Sequence, residues 1–101
     1  MKRLMVRYKV KADRADENIG YVRAVYEQLA RERPARLRYA TFKLDDGVSF
    51  VHIVSQETQE GTNPLTALAA FQAFIAEIGD RCEEPPVATP LHEIGSYAFF
   101  D

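Results

Sequence analysis

The chain has one cysteine, no tryptophan and no long apolar run among its 101 residues. The single Cys82 cannot form an internal disulfide, so nothing in the sequence indicates an oxidising compartment. A segment that spans a bilayer needs roughly 18 or more consecutive apolar residues. The N-terminal MKRLMVRYKVKAD also lacks the apolar stretch of a signal peptide. We therefore expect a cytoplasmic protein that does not bind membranes.

The charge balance of the chain does not point to a particular binding partner. A formal net charge of -2 provides no overall attraction to nucleic acid or to an anionic surface. The sequence shows no internal repeat and no low-complexity segment. A chain of this length is large enough for one hydrophobic core, so we expect a single domain over residues 1–101.

The strongest structural signal is a β-hairpin over residues 37–55. Asp46-Gly47 lies between LRYATFKL and VSFVHIVS, and Asp-Gly between two strand-like runs favours a tight turn because Gly tolerates positive φ. A two-residue loop at Asp46-Gly47 sets Thr41 opposite His52. A loop at Asp45-Asp46 shifts the partners by two, which keeps every side chain on the same face.

The two faces of this hairpin differ in polarity. One is purely apolar and is expected to lie beneath helices: Ala40, Phe42, Leu44, Val51 and Ile53. The other mixes apolar groups with a phenol, a hydroxyl and an imidazole: Tyr39, Thr41, Lys43, Phe50, His52 and Val54. We expect this mixed face to be covered by a partner or to line a cleft.

The remaining elements follow from periodicity and from helix-breaking residues. Residues 4–10 alternate as a strand, and a helix capped by Asp13 or Asp16 runs to about Glu32. A second helix opens at Asn63-Pro64 and carries an apolar stripe toward Cys82. Residues 91–100 read as the last strand.

The resulting order is β-α-β-β-α-β. It predicts an α+β, ferredoxin-like fold in which a four-stranded antiparallel sheet carries both helices on one face. The other sheet face would expose a large apolar patch in a monomer, which usually marks an interface. We therefore expect a homodimer formed through that face.

Four segments resemble a known group of small bacterial proteins: DGVSFVH at 46–52, NPL at 63–65, RCEEPPV at 81–87 and GSY at 95–97. With the element order, they are similar to the dimeric α+β barrel superfamily, which includes the antibiotic-biosynthesis monooxygenase-like proteins. The resemblance implies two subunits packed sheet to sheet, with oxidation of aromatic polyketides without a cofactor or degradation of haem as activities. The haem-degrading branch uses an Asn–Trp–His arrangement, which a chain without Trp cannot supply.

The candidate catalytic residues are His52 and Arg7. His52 lies on the mixed face and could act as a general base or as a haem or metal ligand, with a buried imidazole bonded to Thr41 or Tyr39 as the alternative. Arg7 shares that cleft if Leu4, Val6 and Tyr8 turn toward the helices. It could then stabilise an anion, or simply pair with a carboxylate. The candidate ligand-binding residues are Tyr39, Thr41, Phe50 and Tyr97.

No cofactor or metal site is expected from these residues. A site built on His52 and His92 lacks a third ligand, and His92 and Glu93 point to opposite sides of a strand. Cys82 next to Arg81 could be a low-pKa thiolate, although its position on the apolar stripe also fits simple core packing.

Three functions stay open on this basis. The first is a small dimeric barrel that binds an apolar or aromatic small molecule, with monooxygenase-like activity. The second is a non-catalytic interaction or structural dimer. The third is RNA binding, since RNA-recognition domains share the β-α-β-β-α-β order. In the third-strand RNA motif, however, Asp46 replaces a basic residue, and Val48 and Ile53 replace aromatic ones.

Overall fold

A computed structural model describes residues 2–56 and 64–99 of the chain. The elements follow one another as β1 (Lys2–Val10), a short 3-10 turn (Ala12–Arg14), α1 (Ala15–Glu32), β2 (Leu37–Lys43), β3 (Ser49–Gln56), α2 (Ala69–Ala76), α3 (Ile78–Arg81) and β4 (Cys82–Pro90). The β-α-β-β-α-β order expected from the sequence is confirmed, with the second helical segment divided into α2 and α3.

The four strands form one sheet in the order β2-β3-β1-β4, with every neighbouring pair antiparallel. Helices α1 and α2 contact each other, and their apolar side chains share one core with β1 and β3. This is the α+β, ferredoxin-like arrangement expected from the sequence. Within the described part of the chain, no helix has the length and apolar character needed to cross a membrane.

The hairpin has the register that follows from a loop at Asp46-Gly47. Thr41 lies opposite His52, although five residues, 44–48, separate the two strands. Gly47 adopts φ 77° and donates its N–H to the carbonyl of Leu44 at 3.0 Å. A residue without a Cβ is favoured there because the left-handed region is sterically costly for other residues.

The expectation that the purely apolar face of the hairpin lies beneath the helices is wrong, whereas the mixed face does line a cleft. Tyr39, Thr41, Phe50, His52 and Val54 lie on the face that packs against the helices. Phe42, on the purely apolar face, is instead 50% exposed. The polar atoms of the mixed face form hydrogen bonds with residues on β1 and α1. Burial of this face therefore costs little free energy, because its polar groups stay hydrogen-bonded. The other face, which carries Arg7, Phe42, Val51, Ile53 and Val87, is called the open face below.

Helix α1 ends at Glu32 as expected, but its start differs from the expectation. Neither Asp13 nor Asp16 caps it; the residue before the helix is Arg14, which makes no side-chain cap hydrogen bond. Arg14 instead pairs with Glu17 one turn later, with Nε 2.7 Å from Oε1. Such an exposed pair contributes little stability, so the helix depends mainly on its packed face.

The last strand lies earlier than expected. It covers Cys82–Pro90 instead of residues 91–100, and it pairs only with β1 at the edge of the sheet. Arg7 lies opposite Val87 and Lys9 opposite Glu84, so Pro85 and Pro86 together face Tyr8 as a bulge. Proline is tolerated at such a place because an edge strand or a bulge does not need the missing N–H.

Helix α2 is also shorter than the expected helix, which was to open at Asn63-Pro64 and run toward Cys82. Asn63 is outside the described residues, and 64–67 form a turn before α2 begins at Ala69. The side chain of Gln28 on α1 accepts a hydrogen bond from the backbone N–H of Ala70 at 2.8 Å. This bond satisfies one N–H of the first turn and ties α2 to α1 above the sheet.

Candidate functional site

A partly open cavity of about 360 Å³ lies between the sheet and α2. Most of its wall is aliphatic or aromatic and includes Leu4, Val6, Val54, Leu65, Phe74 and Ile78. Its polar side is formed by Tyr8, Tyr39 and His52, with Gln56 also at the wall. A concave apolar space with a few convergent polar groups is the usual form of a small-molecule site. We call it the central cavity.

His52 is held by hydroxyl groups on both ring nitrogens. Its Nε2 lies 2.8 Å from the hydroxyl of Tyr8. Its Nδ1 lies 2.5 Å from the hydroxyl of Tyr39 and 3.0 Å from that of Thr41. The ring also stacks on Phe74, with centroids 5.3 Å apart. These contacts fix the orientation of the imidazole at the cavity wall.

The hydrogen-bonded chain continues from Tyr8 into the protein. Asn18 of α1 donates from Nδ2 to the Tyr8 hydroxyl at 2.9 Å. Arg81, the last residue of α3, donates from Nε to the Asn18 Oδ1 at 3.3 Å and from Nη2 to the Phe74 carbonyl at 2.7 Å. We call Arg81, Asn18, Tyr8, His52, Tyr39 and Thr41 the His52 network.

A second aromatic contact holds Tyr39 from the side of α1. The ring of Tyr26 stacks on that of Tyr39 with centroids 5.4 Å apart. The Tyr26 hydroxyl lies 2.8 Å from Thr41 Oγ1. Offset aromatic pairs and hydroxyl bonds of this kind restrict the rotamers of the groups they join. The Tyr39 hydroxyl therefore keeps a defined position beside His52.

Burial keeps the titratable groups around the cavity neutral at pH 7. It lowers the pKa of His52 to about 4, since the imidazole is only 4% exposed and lacks a carboxylate neighbour among the described residues. Burial also raises the pKa of Tyr8 and of Tyr39 well above the usual range. The site therefore offers hydroxyl and imidazole groups rather than charges.

Arg81 is the buried charge at the far end of the network. It is 1% exposed, and its guanidinium lies 4.5 Å from the ring centroid of Tyr21 and 5.7 Å from that of Phe74. Among the described residues, no carboxylate forms an ion pair with it. Carbonyl, amide and aromatic contacts thus compensate the desolvation of this cation.

The structure brings together three of the residues expected from the sequence: His52, Tyr39 and Thr41. His52 is bonded to both hydroxyls, so the alternative of a buried, hydrogen-bonded imidazole is confirmed. A role in binding or catalysis remains a proposal for all three.

Three other expected site residues lie elsewhere. Arg7 is opposite Val51 on the exposed side of β1, so it does not share a cleft with His52. This expectation is wrong because Val6, not Arg7, pairs with His52 across the strands. Phe50 packs on Tyr8 in the core, with ring centroids 5.5 Å apart. Tyr97 is 96% exposed and does not reach the central cavity.

Sequence reasoning missed the roles of Tyr8, Asn18 and Arg81. Tyr8 falls on the helix-facing side of β1, which suggests simple core packing. Asn18 and Arg81 are polar residues next to apolar helical stripes, where they read as solvent-facing. The only sequence signal for the burial of Asn18 and Arg81 is their position within one helical turn of an apolar stripe.

The other reactive side chains do not form a metal site in the described chain. No group of three or more His, Cys, Asp or Glu residues comes together in 2–56 and 64–99. His92 is exposed after β4, whereas both ring nitrogens of His52 are hydrogen-bonded. Cys82 packs against the core, and burial raises the pKa of its thiol. Cys82 is half-buried, which agrees with the core-packing alternative.

Comparison with other proteins identifies the fold. No protein-family model matches the chain, and no curated protein matches its sequence. A crystal structure of an antibiotic biosynthesis monooxygenase matches with a TM-score of 0.76 at 17% identity, covering 94% of this chain and 100% of that one. The chain has the antibiotic biosynthesis monooxygenase-like fold.

Two further structures of this fold come from named bacteria. A putative antibiotic biosynthesis monooxygenase from Nitrosomonas europaea has a TM-score of 0.74 at 20% identity and covers 92% of this chain and 89% of its own. A mutant of SnoaB, a cofactor-independent oxygenase from Streptomyces nogalater, has a TM-score of 0.69 at 13% identity and covers 96% of both chains. The superfamily resemblance seen in the sequence is therefore confirmed at the level of fold.

Proposed function

We propose that this protein binds an apolar aromatic small molecule in the central cavity and oxidises it with dioxygen, as a monooxygenase-like enzyme. One observation carries the proposal: the apolar cavity of about 360 Å³ has the His52–Tyr39 pair in its wall. The fold shared with an antibiotic biosynthesis monooxygenase and with a cofactor-independent oxygenase supports the class of reaction.

The cavity wall favours a flat, mostly apolar ligand. Phe71 and Phe74 lie beside aliphatic side chains of β1 and β3. Burying apolar surface contributes about 25 cal/mol per Å², and aromatic rings gain further from stacking. The wall groups are uncharged at pH 7, which disfavours a highly charged ligand.

The proposed chemistry uses the reactivity of the substrate itself. A carbon acid next to an aromatic ketone gives up a proton to solvent water and forms an enolate, which transfers electrons to dioxygen; the proton is taken up by the reduced oxygen that leaves as water. Overall, a methylene group and dioxygen become a carbonyl group and water. The Tyr39 hydroxyl binds the substrate oxygen on which negative charge develops, and His52 orients that hydroxyl.

The role of His52 differs in this proposal from that of a strong general base. A pKa of about 4 leaves the imidazole neutral at pH 7 and makes it a poor proton acceptor. It serves better as a fixed hydrogen-bonding partner of Tyr39. Arg7 has no part in the proposed reaction because it lies on the open face.

The experiment is a dioxygen-consumption assay with a panel of tricyclic hydroxy- and keto-aromatics. We expect Tyr39→Phe to reduce the rate by about a hundredfold, as loss of one oxyanion-binding donor typically does, with His52→Gln impaired too. Tyr97→Phe, altered at a 96% exposed ring, is the matched control and should keep full activity. Binding without dioxygen consumption would reject oxidation, and absence of binding across the panel would reject the proposed function.

The open face supports a second proposal, that two copies of this chain associate sheet to sheet. Phe42 is 50% and Val87 62% exposed, while Val51 and Ile53 on the same face are half-buried. An exposed apolar surface of this kind usually marks an interface, and a two-fold pair is the simplest closed assembly. Arg7 lies between Val51 and Val87 on this face and would also enter the contact. A purely structural or interaction role would use this face and leave the central cavity without a ligand.

A further inference from the structure

The His52 network contains donors that fix the direction of each hydrogen bond. The guanidinium of Arg81 has donors only, so its Nε must donate to the Asn18 Oδ1 at 3.3 Å. The amide oxygen of Asn18 therefore faces Arg81, and its NH₂ group faces the Tyr8 hydroxyl at 2.9 Å. This places a donor on the oxygen of Tyr8.

Tyr8 then determines which nitrogen of His52 carries the proton. Its hydroxyl accepts from Asn18, and its own hydrogen needs an acceptor because the side chain is 2% exposed. The Nε2 of His52, at 2.8 Å, is the acceptor among the described contacts of that hydroxyl. A neutral imidazole that accepts at Nε2 carries its hydrogen at Nδ1.

The remaining hydrogen bonds follow at the cavity wall. The Nδ1–H group donates to the oxygen of Tyr39 at 2.5 Å, with Thr41 Oγ1 next at 3.0 Å. The hydroxyl hydrogen of Tyr39 is then not donated to His52. Thr41 is a competing acceptor for it, although its oxygen also lies 2.8 Å from the Tyr26 hydroxyl. Tyr39 lines the central cavity, where a ligand oxygen can take this hydrogen.

We propose that Arg81, Asn18 and Tyr8 hold His52 as the Nδ1–H tautomer, and that this leaves the Tyr39 hydroxyl as a hydrogen-bond donor to a carbonyl or enolate oxygen of the ligand. Arg81 and Asn18 are positioning residues, since they act through Tyr8 and His52. Hydrogen bonds in a chain strengthen one another. Because His52 accepts at Nε2 and donates from Nδ1 to the Tyr39 oxygen, the Tyr39 hydroxyl becomes a better donor. The ligand part of this inference rests on the proposed function; the tautomer does not.

The tautomer is measured directly by nitrogen-15 NMR of the histidine rings in the intact protein. We expect His52 to show a protonated Nδ1 and an unprotonated Nε2 at pH 7. His92, which is exposed, serves as the internal reference of an unconstrained ring. A protonated Nε2 in the unaltered protein would overturn the proposal without any variant.

Asn18→Asp tests the cause of this tautomer. The new carboxylate can only accept, so it pairs with Arg81 and takes the hydrogen of Tyr8. The oxygen of Tyr8 is then free to accept from His52, and we expect the signature to change to Nε2–H. Retention of Nδ1–H in a folded Asn18→Asp protein would contradict the role of Asn18. If that variant does not fold, Tyr8→Phe tests the next member of the chain, since loss of the Tyr8 donor should reduce the Nδ1–H population; an unchanged Nδ1–H population would contradict the role of Tyr8.

The ligand part is tested with acetonaphthone and ethylnaphthalene, which differ by a carbonyl in place of a methylene. We expect the unaltered protein to bind the ketone up to roughly tenfold more tightly, the value of one hydrogen bond. Tyr39→Phe should abolish the preference, whereas Tyr97→Phe should keep it. Equal binding of both probes would overturn the donor role of Tyr39. No binding of either probe would count against the central cavity as the ligand site while leaving the tautomer result intact.

Discussion

The hydroxyl of Tyr8 and the Nε2 of His52 form a buried hydrogen bond of 2.8 Å between neighbouring strands. Val6 lies opposite His52 in the sheet, so Tyr8 reaches the imidazole diagonally from β1 to β3. Such diagonal neighbours are within reach of aromatic side chains. This contact connects the buried guanidinium of Arg81 to the wall of the central cavity.

Removal of the Tyr8 hydroxyl should destabilise the protein. Tyr8→Phe leaves His52 Nε2 and the Asn18 amide without their partner, and an unpaired buried polar group costs about 1–3 kcal/mol. Urea denaturation gives the free energy of unfolding. Tyr97→Phe makes the same chemical change at an exposed ring and should have almost no effect. Equal losses in the two variants would show that the Tyr8 bonds contribute no stability.

His52 should make stability depend on pH between about 6.5 and 4. Burial lowers its pKa from 6.5 to about 4, so in this range the unfolded chain binds more protons than the folded one. Stability should therefore fall as the pH decreases, by about 3 kcal/mol from this group alone. Urea denaturation across the range measures the slope.

The two histidines give a matched pair of variants for that experiment. His52→Gln should remove most of the slope between pH 6.5 and 4, because the titrating group is gone. His92→Gln changes an exposed ring and should keep the slope. An unchanged slope in His52→Gln would assign the pH dependence to other groups.

Asp46 should stabilise the hairpin only while it is ionised. Its carboxylate accepts from the Ser49 hydroxyl at 2.6 Å and from the backbone N–H groups of Ser49 and Val48 at 2.8 and 3.0 Å. These bonds, the Ser49 hydroxyl foremost, lower its pKa from 3.8 to about 2. The stabilisation is thus present above pH 3.8 and is lost as the pH falls through about 2.

Asp46→Asn should accordingly lower the urea midpoint at pH 7, and the difference from the unaltered protein should shrink as the pH approaches 2. Asp45→Asn changes the adjacent, exposed carboxylate and is the control. Equal shifts in the two variants would mean that general charge, rather than the turn hydrogen bonds, is responsible.

A charge on the open face should prevent self-association. Phe42→Arg places a cation at the 50% exposed ring that the edge strand β2 contributes to the proposed interface, where its desolvation is costly. We expect sedimentation velocity to show a dimer for the unaltered protein and a monomer for this variant. Ala24→Arg, on the exposed side of α1, should remain dimeric. A monomeric unaltered protein would contradict the proposed association.

The backbone plan could be predicted from local signals in the sequence. Asp46-Gly47 indicated the hairpin but left two registers open, and Pro34 indicated the end of α1. The position of β4 could not be predicted in this way. Pro85-Pro86 indicates the end of a helix or strand. A sheet accepts the two prolines here only because they form a bulge opposite Tyr8 on an edge strand, which is tertiary information.

The candidate site was predicted in part. His52, Tyr39 and Thr41 lie on one face of the hairpin in both registers that the sequence allows, so their shared face could be foreseen. Which face meets the helices could not, because apolar content alone favoured the Phe42 side. Hydrogen-bond partners on α1 decided it: Tyr26 bonds to Thr41, and Asn18 bonds to Tyr8 beside His52. Both helix residues are distant in sequence from the hairpin.

Binding in the central cavity is tested most directly by titrating the isotope-labelled protein with acetonaphthone and mapping the backbone amide NMR shifts. We expect the largest changes around Val6, His52 and Phe74 at the cavity wall, with Tyr39→Phe weakening the titration. Changes confined to Phe42 and Val87 on the open face would instead place the ligand outside the cavity and contradict the account.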